Sequence, residues 1–373
     1  MSKIFAEQRA QFCSSCRVGE ADAPRGKLLR CSRCKFAQYC TVACQQRTFP
    51  MHRAMCIRIA SLQKQDDAFG VTDEILLGSP RSDRSKLLSF ILHQHGDQYV
   101  QCKRSLARTT FSLAYQSCDT LERGAGMMEV SLRHYLRLIR IAPEPLLALK
   151  NEVSLLLLAL DYDKEAFSFI HFCLTQFNGA GSQVEQLWDY VWHHGHDIPD
   201  NNDWIFPLQD PTMDLISDSR VVNHEEMDSI IPILLLILKM KIVVKMRRDR
   251  DTCLAFQQTD CGGDLDQVDA VIQEFVSGDA DLLHEQERHV VGLVEYINVM
   301  DPLLLSVIRD KIPLTFEHAP RLHRELCQVD ELMHLLQDCF FLTPGVRSLL
   351  DEYVEDEDEF YDELDENPTN LAD

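Results

Sequence analysis

The residues most capable of chemistry in this chain are cysteines gathered near its N-terminus. Seven of the fourteen cysteines lie within residues 13–56, whereas the other seven are scattered singly along the rest of the chain. Thiolates, and the histidine that falls inside the same cluster, are preferred ligands of Zn²⁺, and each tetrahedral zinc site needs four of them. The predicted ligands of two zinc ions are Cys13, Cys16, Cys31, Cys34, Cys40, Cys44, His52 and Cys56.

The spacing within the cluster predicts how the chain presents these ligands. Two Cys-x2-Cys pairs, which begin at Cys13 and Cys31, can each present two sulfurs from one tight turn. The other four ligands form two pairs spaced i, i+4, which places both members on one face of a helix. We expect two helices here, the second beginning near Thr48, because Pro50 fits a first helical turn. Four protein ligands per ion leave no position for water, so both sites are predicted to be structural.

The order of the ligands, six cysteines followed by a histidine and a final cysteine, resembles that of the MYND zinc finger. Tyr39-Cys40 and Cys44-Gln45 also match this family, and the resemblance covers residues 13–56. RING and PHD fingers would place the histidine fourth or fifth, whereas here it is seventh. In the family the ligand pairs alternate between the metals, which implies a two-zinc cross-brace. The first and third pairs would hold one ion, and the second and fourth pairs the other.

The same resemblance implies a surface for a protein partner. MYND domains are similar to one another in capturing short proline-containing peptides, often of Pro-x-Leu-x-Pro type. In the family a Gln just after the sixth cysteine and a Trp four residues later line the groove, and the matching positions here are Gln45 and Phe49. Phe49 keeps an aromatic wall but lacks the indole N–H donor. The alternative is that Gln45 and Phe49 only pack the start of the helix.

Charge and hydropathy limit the partners of the chain. The formal net charge of −22 disfavours non-specific binding to nucleic acid or anionic membranes. Residues 1–60 are basic, with eleven Lys or Arg and three acids, so seven thiolates and two Zn²⁺ leave the finger at about +5. The finger lacks a helix patterned for major-groove reading, so nucleic acid is not expected as its partner. Without a bilayer-spanning apolar run or a signal peptide, the sequence favours an intracellular protein, in cytoplasm or nucleus, and leaves the oligomeric state open.

Beyond the finger, the hydrophobic pattern predicts an all-α body. Apolar residues recur at helical spacing through residues 132–177 and again through residues 230–336, while alternating strand patterns are scarce. Short connections between such helices favour a bundle or an irregular helical repeat. The predicted organisation is a MYND finger at 1–60, a first helical region at 61–198, a connecting segment at 199–222, a second helical region at 223–350 and an acidic disordered tail at 351–373.

Two charged segments stand out in the body. The first is a run of six basic residues within one predicted helix. We interpret it as a solvated helix face, the alternative being a patch for nuclear import or for a partner. These residues are Lys239, Lys241, Lys245, Arg247, Arg248 and Arg250. Residues 351–366 contain eleven acids in sixteen positions, with aromatic residues interspersed. Self-repulsion predicts disorder there, with either a solubilising role or a basic partner.

Two enzyme classes carry a similar finger, and each has motifs of its own. In SET-domain methyltransferases the finger lies inside the catalytic domain, yet only twelve residues precede Cys13 and the Asn-His-Ser-x-x-Pro-Asn pattern is missing. Iron-dependent prolyl hydroxylases need His-x-Asp and a distal His on a β-barrel. His95-Gly96-Asp97 fits the short motif, but the apolar residues before it predict a helix ending at Gly96. The sequence therefore favours a non-enzymatic adaptor, the alternative being an enzyme with an unrecognised active site in the helical body.

Overall fold

The structure is a computed structural model that describes residues 12–70, 81–117, 121–141, 146–177, 206, 208–215, 230–258, 266–302, 304–310, 312 and 330–354. Apart from a small hairpin and turns, these ranges are helical, which confirms the predicted all-α body. None of the described helices combines the length and the apolarity needed to cross a bilayer. The chain divides into two compact units, residues 1–209 and 210–373.

The first unit begins with the finger, which contains a hairpin and a long helix. Strand β1 (Leu29–Arg30) pairs antiparallel with β2 (Gln38–Tyr39). Helix α1 (Val42–Ala68) follows, and the hydroxyl of its N-cap Thr41 accepts a hydrogen bond from the Cys44 N–H at 3.1 Å.

The prediction of two helices around the last four ligands is wrong. One helix of 27 residues carries Cys44, His52 and Cys56, whereas Cys40 precedes it. Pro50 lies inside this helix rather than at a helix start. Proline removes one backbone donor there, and packing of the buried ligands on either side keeps the helix continuous.

Four further helices follow in the first unit: α2 (Arg81–Ser117), α3 (Leu121–Ile141), α4 (Leu146–Ala159) and α5 (Asp163–Phe177). Each helix from α1 to α5 packs against the next in sequence. The helical periodicity predicted α3, α4 and α5. The helix that we expected to end at Gly96 instead runs on to Ser117, because one glycine costs only about 1 kcal/mol in a helix interior.

The second unit is built on one long helix pair. Helix α6 (Ile230–Gln258) packs along α7 (Asp266–Met300), followed by α8 (Leu304–Arg309), α9 (Asp330–Leu342) and α10 (Val346–Tyr353). Gly345, the N-cap of α10, has a φ of 87°, and a Cβ there would lie 2.8 Å from the Val244 side chain of α6. Only glycine fits this close approach. Helix α10 includes the first three residues of the predicted tail, and residues 355–373 lie outside the described residues.

The prediction of a solvated basic face on α6 is wrong for its first two lysines. Lys239 is only 2% exposed and Lys241 is 9% exposed. The Lys239 ammonium donates hydrogen bonds of 2.8–2.9 Å to the carbonyls of Pro211 and Met213 and to Gln286 Oε1. Burial lowers the pKa of Lys239 to about 8. Lys239 therefore tethers the non-helical segment that precedes α6, and of the six basic residues only Lys245, Arg248 and Arg250 are exposed.

Candidate functional site

Two tight turns present the first four cysteines. The residue after each Cys-x2-Cys pair has a left-handed backbone conformation, with a φ of 70° at Arg17 and 64° at Lys35. The N–H of that residue donates to the carbonyl of the first cysteine, at 3.0 Å from Arg17 to Cys13 and at 2.9 Å from Lys35 to Cys31. Each closed turn brings both sulfurs of its pair into one cluster.

The first cluster joins the first and third ligand pairs. The sulfurs of Cys13, Cys16, Cys40 and Cys44 all lie within 4.8 Å of one another. Cys40 Sγ is 3.2 Å from Cys16 Sγ and 3.6 Å from Cys44 Sγ. Sulfurs bound at about 2.3 Å to one tetrahedral zinc are about 3.8 Å apart. The cluster therefore has the size that one zinc ion requires.

The second cluster joins the second and fourth pairs and is buried throughout. Its members are Cys31, Cys34, His52 and Cys56. Cys31 Sγ lies 3.6 Å from Cys56 Sγ, and Cys34 Sγ lies 3.5 Å from His52 Nε2. The Tyr39 ring packs edge-on against the His52 imidazole, with 6.3 Å between ring centroids. This contact helps to fix the imidazole with Nε2 among the sulfurs.

The pKa values of the cysteine thiols indicate that both clusters are stabilised by a bound cation. Burial, reinforced by neighbouring thiolates, raises the pKa of the Cys56 thiol to about 12. A hydrogen bond to Cys16, together with burial, raises the pKa of Cys40 to about 12. At Cys13, backbone hydrogen bonds outweigh the opposing effect of burial and lower the pKa to about 6. Because crowded thiols resist a second negative charge, a bound divalent cation is what allows all of them to ionise.

The donor sets of the two clusters fit two zinc ions. One cluster offers four sulfurs, and the other offers three sulfurs and an imidazole nitrogen. These are the donor sets of closed, four-coordinate zinc sites, which stabilise a fold and leave no position for a reacting water. Burial lowers the pKa of His52, which keeps its imidazole neutral and ready to bind metal. Zinc would hold the two tight turns, the hairpin and α1 together.

The residues predicted to bind a peptide lie on one strip of α1, where Phe49 is exposed and Gln45 is half-buried. Gln45 and Phe49 are one turn apart, so they share a face of the helix. Phe49 is 37% exposed. Val42, which is 57% exposed, falls on the same face at position i−7 from Phe49. We missed Val42 in the sequence, although the i, i+3, i+7 spacing of these three residues was a visible signal.

The hydrophobic core of the finger continues into the helical body. Ile59 of α1 is fully buried, at 0% exposure, in the same cluster as the ligand cysteines. Leu106 and Leu113 of α2 belong to that cluster and are 1% and 2% exposed. The metal sites and the first body helices therefore share one core.

Polar contacts join the same two parts of the first unit. The Lys103 ammonium of α2 lies 2.6 Å from the Asp66 carboxylate near the end of α1. The Gln63 side chain donates to the carbonyl of Cys34, a zinc ligand, at 3.2 Å. Helix α1 thus continues eight residues past residue 60 and bonds to both the second cysteine turn and the body.

The other metal motif considered from the sequence gains no support. His95 and Asp97 lie on the continuous helix α2 rather than on a β-barrel. A second group of possible metal ligands in the sequence, His193, His194 and His196, lies outside the described residues. Within the described ranges, the only groups of three or more potential metal ligands are the two clusters of the finger.

The second unit contains a cavity beside Arg247. It has a volume of about 480 Å³, and its walls come from α6, Gly345 and α10. The Arg247 guanidinium lies 2.7 Å from Glu287 and 2.7 Å from Glu352. Hydrogen bonds to these carboxylates raise its pKa further above its ordinary value. Arg247, one of the two arginines that line the cavity, is therefore already bound by two acids of the protein.

Comparison with known proteins identifies the family of the finger. The MYND finger family matches residues 13–56. Two histone-lysine N-methyltransferases named SMYD3, from Mus musculus and Homo sapiens, are 31% identical over 87 and 88 residues. These matches cover 22% of this chain and 19% of each relative, so the chain spans about a fifth of the length of the curated relatives it matches. No solved structure gives a significant match. Residues 13–56 of this chain are a MYND zinc finger.

Proposed function

We propose that this chain is a non-enzymatic adaptor whose MYND finger captures a proline-containing peptide of a protein partner. The observation that carries the proposal is the strip at the start of α1, on which Val42 and Phe49 are exposed and Gln45 is half-buried between them. Apolar side chains left exposed on a rigid scaffold are typical of recognition surfaces. MYND fingers are generally protein-interaction domains, which supports the same interpretation.

In this proposal both zinc ions are structural and form a cross-brace. The first ion ties the first cysteine turn to the start of α1, and the second ion ties the second turn to the middle of the same helix. Helix α1 is then fixed at two points, at Cys44 and at the pair His52 and Cys56. A rigid strip loses little conformational entropy on binding, which favours capture of a short peptide.

The chemistry of the strip suits an extended peptide with prolines. Such peptides are preorganised as polyproline II helices and dock against aromatic walls. Phe49 supplies an aromatic wall, and the amide of Gln45 can donate to a peptide carbonyl and accept from a peptide N–H. Phe49 offers no donor of its own, so we expect Phe49→Trp to tighten binding.

The competing proposal is an enzyme whose active site lies in the helical body. Its support is the name of the relatives, histone-lysine N-methyltransferase, and the cavity beside Arg247. The similarity to those relatives lies over the finger, and Arg247 of the cavity is already paired with two acids. We therefore propose that the body serves as a scaffold for the finger.

Fluorescence anisotropy of a labelled Pro-x-Leu-x-Pro peptide with the zinc-loaded full chain tests the adaptor proposal. Phe49→Ala should weaken binding by about 1–3 kcal/mol, or about five- to 150-fold, because an aromatic anchor is lost. Met51→Ala is the matched control, since Met51 is 80% exposed on the same helix but about 160° away around its axis. Zinc content should be unchanged in both variants. Equal affinity of Phe49→Ala and wild type, or no binding of any proline-containing peptide, would refute peptide capture.

A further inference from the structure

The exposed strip on α1 continues beyond Phe49. Arg53 lies one turn further along the helix and is exposed, and Ile57 lies one more turn on and is 45% exposed. From Val42 to Ile57 the helix rises about 22 Å, while the positions of this face stay within about a third of its circumference. The finger therefore presents one long face on which apolar residues flank a single cation.

The charge on Arg53 is not neutralised by its own helix. No acidic residue occurs between Val42 and Gln65. Arg53 forms no ion pair within the described part of the chain. The zinc-loaded finger is also basic, at about +5, because eleven basic residues outnumber its three acids. The surroundings of Arg53 therefore favour an anionic group on the partner.

We infer that the captured peptide carries an acidic residue beside its proline motif and that Arg53 binds this carboxylate. The inference rests on the proposed function and adds a specificity-determining residue to it. The guanidinium of arginine matches a carboxylate with two parallel hydrogen bonds, which gives direction as well as affinity.

The dimensions of helix and peptide agree with this contact. A five-residue motif in the polyproline II conformation spans about 12–16 Å at 3.1 Å per residue. Val42 and Phe49 are separated by about 10 Å along the helix, and Arg53 lies about 6 Å further on. A peptide anchored on Phe49 therefore places the residue just outside its motif at Arg53.

The test compares peptides that share one Pro-x-Leu-x-Pro motif and differ only in the flanking residues, which are Glu, Gln or Lys on either side. Each is titrated into the zinc-loaded full chain at low salt. The Glu-flanked peptide should bind about two- to fivefold more tightly than the Gln-flanked one, the range of an exposed ion pair, with the Lys-flanked peptide weakest. Arg53→Gln should abolish the difference. Arg58→Gln is the matched control, because Arg58 is exposed on the same helix about 140° from Arg53.

Several results would overturn the inference while leaving the proposed function intact. Equal affinity of the three peptides would refute the contact between Arg53 and an acidic flanking residue. An equal effect of Arg58→Gln and Arg53→Gln would mean that the net charge of the finger, rather than Arg53, selects the peptide. If the Glu-flanked peptide binds more tightly than the Gln-flanked one only after residues 355–373 are deleted, Arg53 binds the acidic segment of its own chain in the full-length protein. Failure of every proline-containing peptide to bind would instead refute the proposed function itself.

Discussion

Replacing Ile59 with alanine tests whether the finger and the first body helices fold as one structure. Ile59 is fully buried on α1, in the core that contains both the ligand cysteines and Leu106 of α2. If this core is shared, a cavity at Ile59 should weaken zinc retention and also loosen α2. A finger that folds separately, as its compact spacing in the sequence suggests, would confine the damage to the metal sites.

The expected magnitude follows from the atoms removed. Ile→Ala deletes three carbons, and each buried carbon group is worth about 0.8 kcal/mol, which gives about 2.4 kcal/mol before any cavity term. Incomplete collapse of the site adds to this, so we expect a loss of about 3–4 kcal/mol. Ile57→Ala makes the same chemical change two residues away, at a side chain that is 45% exposed. An exposed substitution of this kind changes stability by about 0.5 kcal/mol or less.

Two measurements on the full chain distinguish the outcomes. The rate of zinc transfer to a chelator should rise in Ile59→Ala and stay near the wild-type rate in Ile57→Ala, because metal binding is linked to folding. Hydrogen exchange of residues 106–113 should accelerate in Ile59→Ala, and also in the chelated wild type. Unchanged exchange of α2 in both would show that the finger and the body fold independently and would refute the shared core.

Three further outcomes are expected. Native mass spectrometry should find two zinc ions per chain, since two four-ligand clusters are present, and a single ion would contradict this. Acidification should release zinc, because protons compete with the metal for the thiolates of both clusters; zinc held unchanged at pH 4 would argue against thiolate ligation. Lys239→Met should speed hydrogen exchange of residues 208–215 about tenfold or more, since two carbonyl tethers are lost, while Lys245→Met, at an exposed position of the same helix, should not.

The ligand set of the finger could be predicted because metal coordination depends on residue type and spacing. Eight ligand residues in four close pairs rarely occur in a chain that binds no metal, and the structure groups them into two clusters that fit zinc. The helices α3 to α5 were equally predictable, because their apolar residues repeat at helical spacing over long stretches.

The errors arose where tertiary packing outweighs local preference. From local preference alone, Pro50 predicts the start of a helix. Helix α1 nevertheless continues across Pro50, because Cys44 before it and His52 after it are both buried. A lysine such as Lys239 is expected to be solvated. Its burial is possible because its ammonium donates hydrogen bonds to three acceptors that are distant in sequence. The shared core around Ile59 depends on α2, whose Leu106 lies more than forty residues away, and no local pattern reveals such a contact.

Photo-crosslinking with a Pro-x-Leu-x-Pro peptide that carries a benzophenone group at its leucine position tests the central claim most directly. The full zinc-loaded chain is irradiated with the peptide, and the labelled residues are identified by mass spectrometry. We predict crosslinks on the exposed face of α1, at Val42, Gln45 and Phe49 and in the following turn, and their loss when zinc is removed by a chelator. Crosslinks confined to residues 121–177 or 230–354, or labelling that is unaffected by chelation, would contradict capture by the zinc finger.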